Sequence, residues 1–420
     1  MRIGNVLTIV LTITIALATP ASAQVDAMWD GSTLDTFWLT GDNWTGGIAP
    51  NAALDIARFD DTGVMGVVDM NGNALTVFDM YLSGAASGYD ISNGTLTATN
   101  VYHSATGTNT ISGAVSLGGI GVFTVSGGRL NLTNPASSIT GLTLITGGAL
   151  DIGDLSVNSN ILAGSFIKFQ LASEESGGIV IARGTGANKF ARNIGSADGD
   201  VRWYANGGGF AARGGPLELL LEGGRLLDWG SSSYGFGRKT IAFGHAVADD
   251  VVTLLNDVEV DRDCNVIVFD NHDTDTDIAE LRGTLVPPTI VGKWLIKRAT
   301  ENDAAAYAQS GTLWLSNAAN TYDNTRIQGG AIRLSQDDDG LGTGYVQFYA
   351  DRHDQPAVLE SKGTFDRTIG TALGQIHWAT DLSLDATGEG RGGGCAAYGG
   401  PLTVTLHPNN APGTTNLVWD

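Results

Sequence analysis

The sequence has few positive charges. Its 420 residues include 23 lysines and arginines against 44 aspartates and glutamates, which gives a formal net charge of −21 at pH 7. A surface of this sign repels phosphate groups and anionic lipid. Nucleic acid is therefore excluded as a partner, and the acidity itself is typical of long, soluble surface proteins.

Cysteine is equally scarce, since Cys264 and Cys395 are the only two. Cys264 stands in an alternating apolar run, and Cys395 takes the place that Phe210 has in a similar segment of the chain. We interpret both as small buried hydrophobes. This excludes the disulfide framework that staples small secreted domains, although a single bridge between the two remains an alternative.

Helical patterns and long apolar runs are also lacking. Thr300 to Gln309 could form one or two helical turns, but no segment has a capped 3.6-residue period. No segment of the mature chain approaches the ~20 apolar residues of a membrane-spanning helix. Arg2, the apolar stretch Val6 to Ala18 and the Pro20 that follows predict a signal peptide over residues 1–23. We therefore expect an extracellular protein or one at a bacterial cell surface.

Glycine, by contrast, is abundant, with 59 residues against 10 prolines. Glycine supplies the positive φ angles that frequent corners require. The chain is therefore expected to consist of short strands and tight turns.

The chain also contains a long internal duplication. Phe190 to Trp203 matches Phe365 to Trp378 at 7 of 14 positions, and Gly207 to Leu217 matches Gly392 to Leu402 at 9 of 11. Such self-similarity indicates a solenoid or array, in which each unit buries its apolar face against its neighbours. A β-propeller would repeat evenly at about 40 to 50 residues, which this duplication does not.

A shorter unit of about 20 residues lies beneath the duplication. Alternating strands flank turn glycines at positions 128 and 148, and again at 311 and 330. The spacings of 20 and 19 residues suit the coils of a parallel β-helix. The sequence therefore predicts an all-β fold, a right-handed parallel β-helix (β-solenoid) built from coils of this length.

The start of the mature chain is different, because Trp29, Trp38 and Trp44 fall within sixteen residues. A solenoid needs a cap over the open end of its core, and residues 24–60 are predicted to form one. The alternative is that the three rings are exposed and stack on sugars. The β-helix is then predicted over 61–300, with the first copy of the duplication, and over 301–420, with an incomplete second copy.

The later coils carry a recognisable motif. Gly311 to Tyr322 reads GTLWLSNAANTY, Thr325 to Leu334 reads TRIQGGAIRL, and Leu341-Gly342 follows. This run resembles the autotransporter-associated β-strand repeat of secreted bacterial proteins. The resemblance implies a right-handed parallel β-helix, export beyond the inner membrane, and a passenger or surface role without catalytic residues in the repeat.

Two features depart from that family. Tyr322 to Thr325 shortens the turn that the family motif has there, and the chain contains no C-terminal membrane barrel segment. The sequence also ends at Trp419-Asp420, a point at which the first copy continues for some seventy residues. These features predict a fragment of a longer protein.

Cofactor chemistry has one weak candidate. Asp273, Asp275 and Asp277 alternate as in a calcium loop, but Ile278 replaces the sharp-turn glycine and the final glutamate is missing. A solvated loop is the preferred interpretation, and no other cofactor is expected.

No catalytic motif is present, and we assign no catalytic residue. Arg192 and Arg367 correspond in the duplication and are predicted to close coils through hydrogen bonds to backbone or carboxylate. The predicted function is a structural or adhesive role at the cell surface. The alternative is a carbohydrate-binding or polysaccharide-cleaving β-helix. Extracellular glycans or cell-surface components are the expected partners, and the oligomeric state is open.

Overall fold

The computed structural model describes residues 23–33, 35–85, 87–117, 121–171, 178–231, 233, 235–270, 278–287, 291–299, 309–349, 356–378 and 392–407. Over these residues the chain consists mainly of short strands that pair in parallel from one coil to the next. The predicted all-β parallel β-helix is confirmed. Its predicted right-handed sense is the hand that connections between parallel strands of one sheet almost always take.

The strands are β1 (Asp26–Met28), β2 (Ile56–Phe59), β3 (Val67–Asp69), β4 (Ala74–Leu82), β5 (Asp90–Ser92), β6 (Thr95–His103), β7 (Thr108–Ile111), β8 (Ala114–Leu117), β9 (Val122–Val125), β10 (Arg129–Leu132), β11 (Ser138–Ile139), β12 (Leu142–Ile145), β13 (Ala149–Asp154), β14 (Phe166–Gln170), β15 (Ile179–Gly184), β16 (Phe190–Arg192), β17 (Val201–Ala205), β18 (Gly209–Leu221), β19 (Leu227–Asp228), β20 (Ile241–Phe243), β21 (Val252–Leu254), β22 (Val258–Glu259), β23 (Cys264–Asp270), β24 (Ile278–Leu281), β25 (Leu285–Val286), β26 (Trp294–Lys297), β27 (Gln309–Ser310), β28 (Thr312–Leu315), β29 (Asn324–Ile327), β30 (Gly330–Leu334), β31 (Val346–Phe348), β32 (Ala357–Ile369), β33 (Gln375–Trp378) and β34 (Gly393–His407). Helix in the described residues is limited to α1 (Leu155–Asn158) and three 3-10 turns, Gly41–Asn43, Gly186–Asn188 and Glu222–Gly224.

Each coil follows from the alternation of side chains along its strands. In β10, Leu130 and Leu132 are fully buried, while the residues between and before them are half-buried on the outer face. Leu130 lies beside Leu150 of the next coil, and Leu150 lies beside Val180 of the coil after that. Because neighbouring strands are about 4.8 Å apart, these columns of side chains form a continuous interior.

The main hydrophobic core runs through the described residues from Ala27 to Ile376, and a smaller separate cluster includes Ile179 and Phe269. The strands β1, β2, β4, β6, β9, β12, β14 and β17 stack in that order on one face of the first coils. Two further stacks, β24–β28–β30–β32–β34 and β23–β26–β29–β31–β33, run through the later coils. Core residues lie on both sides of the region boundaries that the sequence predicts at residues 60 and 300, with Phe59 and Val68 at the first and Leu295 and Leu313 at the second.

The duplication extends to the pairing of strands. Gly184 lies beside Leu217, and in the second copy Gly363 lies beside Leu402, each immediately after a shift in register. The copies therefore share both their strand register and the position of a bulge. This shared register begins well before residue 190, because Ile167 lies beside Val201 as Val346 lies beside Ile376.

A shared hydrogen bond marks the same correspondence. The Trp203 indole N–H donates to the Gly208 carbonyl at 2.8 Å, and the Trp378 indole donates to the Gly393 carbonyl at 3.0 Å. Each bond ties the end of one strand to the start of the next outer segment. The two copies thus keep the same side-chain support at this corner.

One difference between the copies is a turn. Five residues, including the 3-10 turn Gly186–Asn188, separate Gly184 from Phe190 in the first copy. A single residue separates Gly363 from Phe365 in the second copy. The first copy therefore carries a four-residue insertion at the outer surface.

Both cysteines are free thiols. Cys264 is buried in the core, and Cys395 is half-buried and packs against it. Burial raises the pKa of Cys395 to about 11 and raises that of Cys264 well above its usual range. The two residues act as buried hydrophobes, as predicted.

Several predicted features lie outside the described residues. These are the signal peptide as far as residue 22, the possible helical turns over 300–308 and the chain end over 408–420. In the part of the chain that is described, no helix has the length and apolar character needed to span a membrane.

Candidate functional site

The three tryptophans of the N-terminal region are buried. Trp29, Trp38 and Trp44 are 2%, 0% and 1% exposed, and Trp44 packs edge-on against both of the others, at 5.3 Å from Trp29 and 4.9 Å from Trp38. The Trp38 indole N–H donates to the Pro50 carbonyl at 2.8 Å. Sugar stacking requires an exposed ring face, and these faces are occupied by one another and by Phe59. This geometry corrects the stacking hypothesis for these residues, whose rings are instead buried against one another.

The calcium candidates Asp273, Asp275 and Asp277 lie outside the described residues. Within the described ranges, no three His, Cys, Asp or Glu side chains gather closely enough to hold a metal ion. A calcium site at these aspartates therefore stays a prediction.

Arg192 closes a coil from the inside of a turn. Its Nη1 donates to the carbonyls of Ser165 at 2.7 Å and Gly199 at 2.9 Å, and its Nη2 donates to the Leu162 carbonyl. In the second copy, Arg367 donates to a single carbonyl, that of Gly344, at 3.3 Å. The predicted coil-closing role of these arginines is confirmed.

A row of polar side chains crosses six coils on the outer face of one stack. We call it the carboxylate ladder, and its members, each beside the next, are Glu218, Thr253, Glu280, Trp314, Arg333 and Glu360. The residues on either side of each position, such as Leu313 and Leu315, are buried in the core. The ladder therefore lies on the outside of the coil wall.

The carboxylates of the ladder are paired with arginines. Arg282 contacts Glu280 at 2.8 Å and Glu218 at 3.0 Å. Arg333 contacts Glu360 at 2.7 Å. Because each carboxylate already accepts charge-assisted hydrogen bonds, the ladder is a set of satisfied ion pairs that ties neighbouring coils together.

Glu280 illustrates the consequence for catalysis. Burial opposes ionisation of its carboxyl group, but hydrogen bonds from Arg282, Ser316 and Thr253 outweigh burial and lower the pKa of Glu280. A carboxylate held in its ionised form cannot serve as a general acid at neutral pH. The exception to the pairing is Trp314, whose indole N–H is buried without a hydrogen-bond partner.

A second group lies on the outer face of the stack β26–β29–β31. We call it the aromatic–arginine cluster, and it consists of Trp294, Arg326, Tyr345, Gln347 and Tyr349, all of them half-buried. Trp294 and Tyr345 meet edge-on, with ring centroids 4.8 Å apart. The Arg326 guanidinium lies 4.4 Å from the Trp294 centroid and 5.6 Å from that of Tyr349. Its Nε donates to Gln347 Oε1 at 2.7 Å.

The charge in this cluster is not neutralised by a described residue. No carboxylate among the described residues pairs with Arg326, which contacts only ring faces and an amide oxygen. Elsewhere on the outer face, Arg58 also lies over a ring, that of Tyr81 at 4.6 Å, but it pairs with Asp26 at 2.6 Å. The cluster thus combines aromatic faces, an amide and an available cation, which is the set of groups that can hold a polar ligand with apolar faces.

This cluster was not predicted from the sequence because its members come from three coils. Arg326 and Gln347 each stand at an outward position between buried residues of their strands, and Trp294 begins its strand just before the buried Leu295, so the local signal was present. Bringing them together requires the register between coils. Coil length varies along this chain, and sequence spacing alone did not supply that register.

No protein family, curated protein or solved structure matches this chain. The resemblance to the autotransporter-associated repeat therefore stays a prediction.

Proposed function

We propose that this chain is a secreted or cell-surface β-solenoid with a structural and adhesive role, and that its aromatic–arginine cluster binds extracellular glycan. The observation that carries the proposal is the half-exposed group of Trp294, Tyr345 and Tyr349 around an arginine with no described carboxylate partner. Sugars present apolar C–H faces that pack on aromatic rings and hydroxyls that accept hydrogen bonds from guanidinium and amide groups.

The rigid stack favours such a surface. Arg326 lies beside Gln347 in the parallel ladder, and the strands that carry them pack inward through Ile327 and Phe348. Functional groups on strands are held more precisely than groups on loops. The cluster therefore needs little reordering to receive a chain of sugars that runs along the solenoid.

A binding role is better supported than cleavage of polysaccharide. Glycoside hydrolysis needs one carboxyl group that can donate a proton beside a second carboxylate. Glu280 and Glu360, the acids nearest in register to Trp314, are each engaged by an arginine. The aromatic–arginine cluster itself contains no acidic residue.

The test is retention of the full secreted protein on an array of immobilised neutral and acidic polysaccharides. We expect binding to at least one polysaccharide class, and we expect Trp294→Ala to weaken it by about tenfold, the loss of one buried aromatic contact. The matched control is Tyr102→Ala, which removes a half-buried ring that stacks on Tyr81 at 4.8 Å, beside the neutralised Arg58. Equal losses in both variants, or no retention of the parent protein, would contradict the proposal.

A further inference from the structure

The first copy of the duplication contains a surface pocket of about 310 Å³. It lies between the turn after α1 and the inserted turn Gly186–Asn188, with Arg192 on its wall. Its volume is at the lower end of the range for small-ligand sites. The pocket is distant in sequence from the aromatic–arginine cluster, so ligand binding in it does not depend on the proposed function.

The described residues that line the pocket include two cations, Arg192 and Lys189, and no acid. Lys189 donates only to the Gly186 carbonyl in its own turn. Asp200, whose charge acts on Arg192, accepts instead from the Ala197 backbone N–H at 2.9 Å. The pocket therefore has an excess of positive charge.

Arg192 has N–H groups that make no described hydrogen bond. Three of its N–H groups donate to carbonyls of Ser165, Gly199 and Leu162. A guanidinium has five N–H groups, so Nε–H and one N–H of Nη2 have no described partner. Burial lowers the pKa of Arg192 to about 10, and the charge of Asp200 only partly opposes this effect.

In the second copy, a carboxylate lies beside the arginine that corresponds to Arg192. This arginine, Arg367, contacts Asp338 at 3.2 Å. The carbonyls of Ser165 and Gly344 accept hydrogen bonds from Arg192 and Arg367, and Ser159 and Asp338 each stand six residues before them in the chain. Asp338 therefore corresponds to Ser159 of the first copy. Ser159 lines the pocket, and its side chain cannot supply a negative charge. The arginine of the second copy therefore has an internal carboxylate partner, whereas the arginine of the first copy lines an open, cationic cavity.

We propose that the first-copy pocket binds a small carboxylate ligand, whose carboxylate group takes the place that Asp338 has beside Arg367. The ligand carboxylate accepts hydrogen bonds from the free N–H groups of Arg192 in the bidentate manner that guanidinium favours. Lys189 adds a second positive charge at the rim. A uronic acid unit of an acidic polysaccharide or a free organic acid would supply this chemistry.

The test is isothermal titration of the full secreted protein with glucuronate, with glucose as the neutral counterpart. We expect glucuronate to bind, glucose not to bind, and Ser159→Asp to weaken glucuronate binding by at least about tenfold, because the new carboxylate occupies the pocket. The matched control is Asn160→Asp, which adds the same charge at the next residue, outside the pocket lining. It should leave the affinity within about twofold.

Titration with further ligands shows which part of glucuronate is recognised. Binding of acetate as well as glucuronate indicates that an isolated carboxylate suffices, whereas binding of glucuronate alone indicates recognition of the sugar ring. Both support the proposal. Equal binding of glucose and glucuronate, binding of sulfate but not carboxylate, or an unchanged affinity in Ser159→Asp would overturn it.

Ser159→Asp is preferred to substitution of Arg192, whose loss would remove three hydrogen bonds to backbone carbonyls and endanger the coil. Lys189→Gln offers a second variant that keeps the frame. We expect it to weaken glucuronate binding by about threefold, in line with the removal of one exposed charge near the ligand. A stronger binding of glucuronate to Lys189→Gln would contradict the proposed position of the ligand.

Discussion

The two copies of the duplicated segment share their strand register and differ in the surroundings of one arginine, Arg192 in the first copy and Arg367 in the second. In both, an arginine reaches across a turn to backbone carbonyls. In the second copy, Asp338 neutralises that arginine, while in the first copy Ser159 and an inserted turn leave a cavity beside it. The comparison teaches that a solenoid can keep its register while a side-chain exchange and a short insertion change what its surface can bind.

Lys297 should give the largest contrast between the copies. It is fully buried beside Ile327. The corresponding position in the earlier coils is Val125. Val125 lies beside Ile145 and Ile145 beside Phe169, just as Lys297 lies beside Ile327 and Ile327 beside Phe348. An apolar side chain thus occupies the position at which the later coil buries an amine.

The change Lys297→Val should therefore stabilise the protein at low pH. Burial lowers the pKa of Lys297 from 10.5 to about 7, with an opposing effect of Asp270. Between these values the unfolded chain binds one proton more than the folded one, so stability rises with pH across this window and is lowest below pH 7. The lost burial cost of the charge at pH 6 is about 5 kcal/mol, whereas the variant also loses the hydrogen bonds from Lys297 Nζ to the carbonyls of Arg298 and Gly329, each 3.1 Å, worth about 2 kcal/mol together. We therefore expect Lys297→Val to raise the free energy of unfolding at pH 6 by about 3 kcal/mol and to flatten this pH dependence, as measured by urea denaturation.

The control for that experiment is Lys168→Val, which removes a half-buried lysine that lies over the Tyr204 ring on the outer face. Its pH dependence should follow that of the parent protein. A Lys297→Val variant that is less stable at pH 6, or that keeps the parent slope between pH 7 and 10.5, would contradict the burial of this amine.

The two coil-closing arginines should differ in their contribution to stability. Arg192→Leu removes three hydrogen bonds to carbonyls, of which that of Leu162 still accepts from the Ser165 backbone N–H, and we expect a loss of about 3 kcal/mol. Arg367→Leu removes one carbonyl contact and an ion pair to Asp338, whose side chain is 42% exposed, so we expect about 1 to 2 kcal/mol. Because repeat arrays unfold in parts, the measurement is hydrogen exchange of the affected coil. Equal losses of stability in the two variants would contradict the expected difference between Arg192 and Arg367.

The smallest effect should come from the paired tryptophans. Trp203→Phe and Trp378→Phe each keep a ring and lose the bond to the Gly208 or Gly393 carbonyl. We expect a cost of about 1 kcal/mol for Trp203, which is buried, and less for Trp378, which is half-buried. Exchange rates of the following strand report both. A larger loss in Trp378→Phe would show that the corners are not equivalent.

Much of the fold could be predicted from the sequence. Alternation in runs such as Thr312–Leu315 and the turn glycines at 128, 148 and 330 point to short stacked strands, because each feature acts within one coil. The duplication could be detected between 190 and 217 but not before, since earlier positions such as Asp151 and Arg333 share a place in the register and nothing else.

Less of the candidate site could be predicted. The cap over residues 24–60 stays a prediction, and whether a tryptophan ring in it is exposed depends on packing, as the occupied faces of Trp29 and Trp44 show. The aromatic–arginine cluster and the Arg192 pocket both join residues from separate coils. Their geometry depends on coil lengths and on one inserted turn, which local pattern does not determine.

The central claim is that the two copies share a strand register and that only the first has a carboxylate-binding pocket. Its most direct test is a crystal structure of the secreted protein with glucuronate. We predict that Gly184 pairs with Leu217 as Gly363 pairs with Leu402, with a carboxylate bound at Arg192 and none at Arg367. Different registers in the two copies, or a ligand carboxylate at Arg367 with Asp338 displaced, would contradict this prediction.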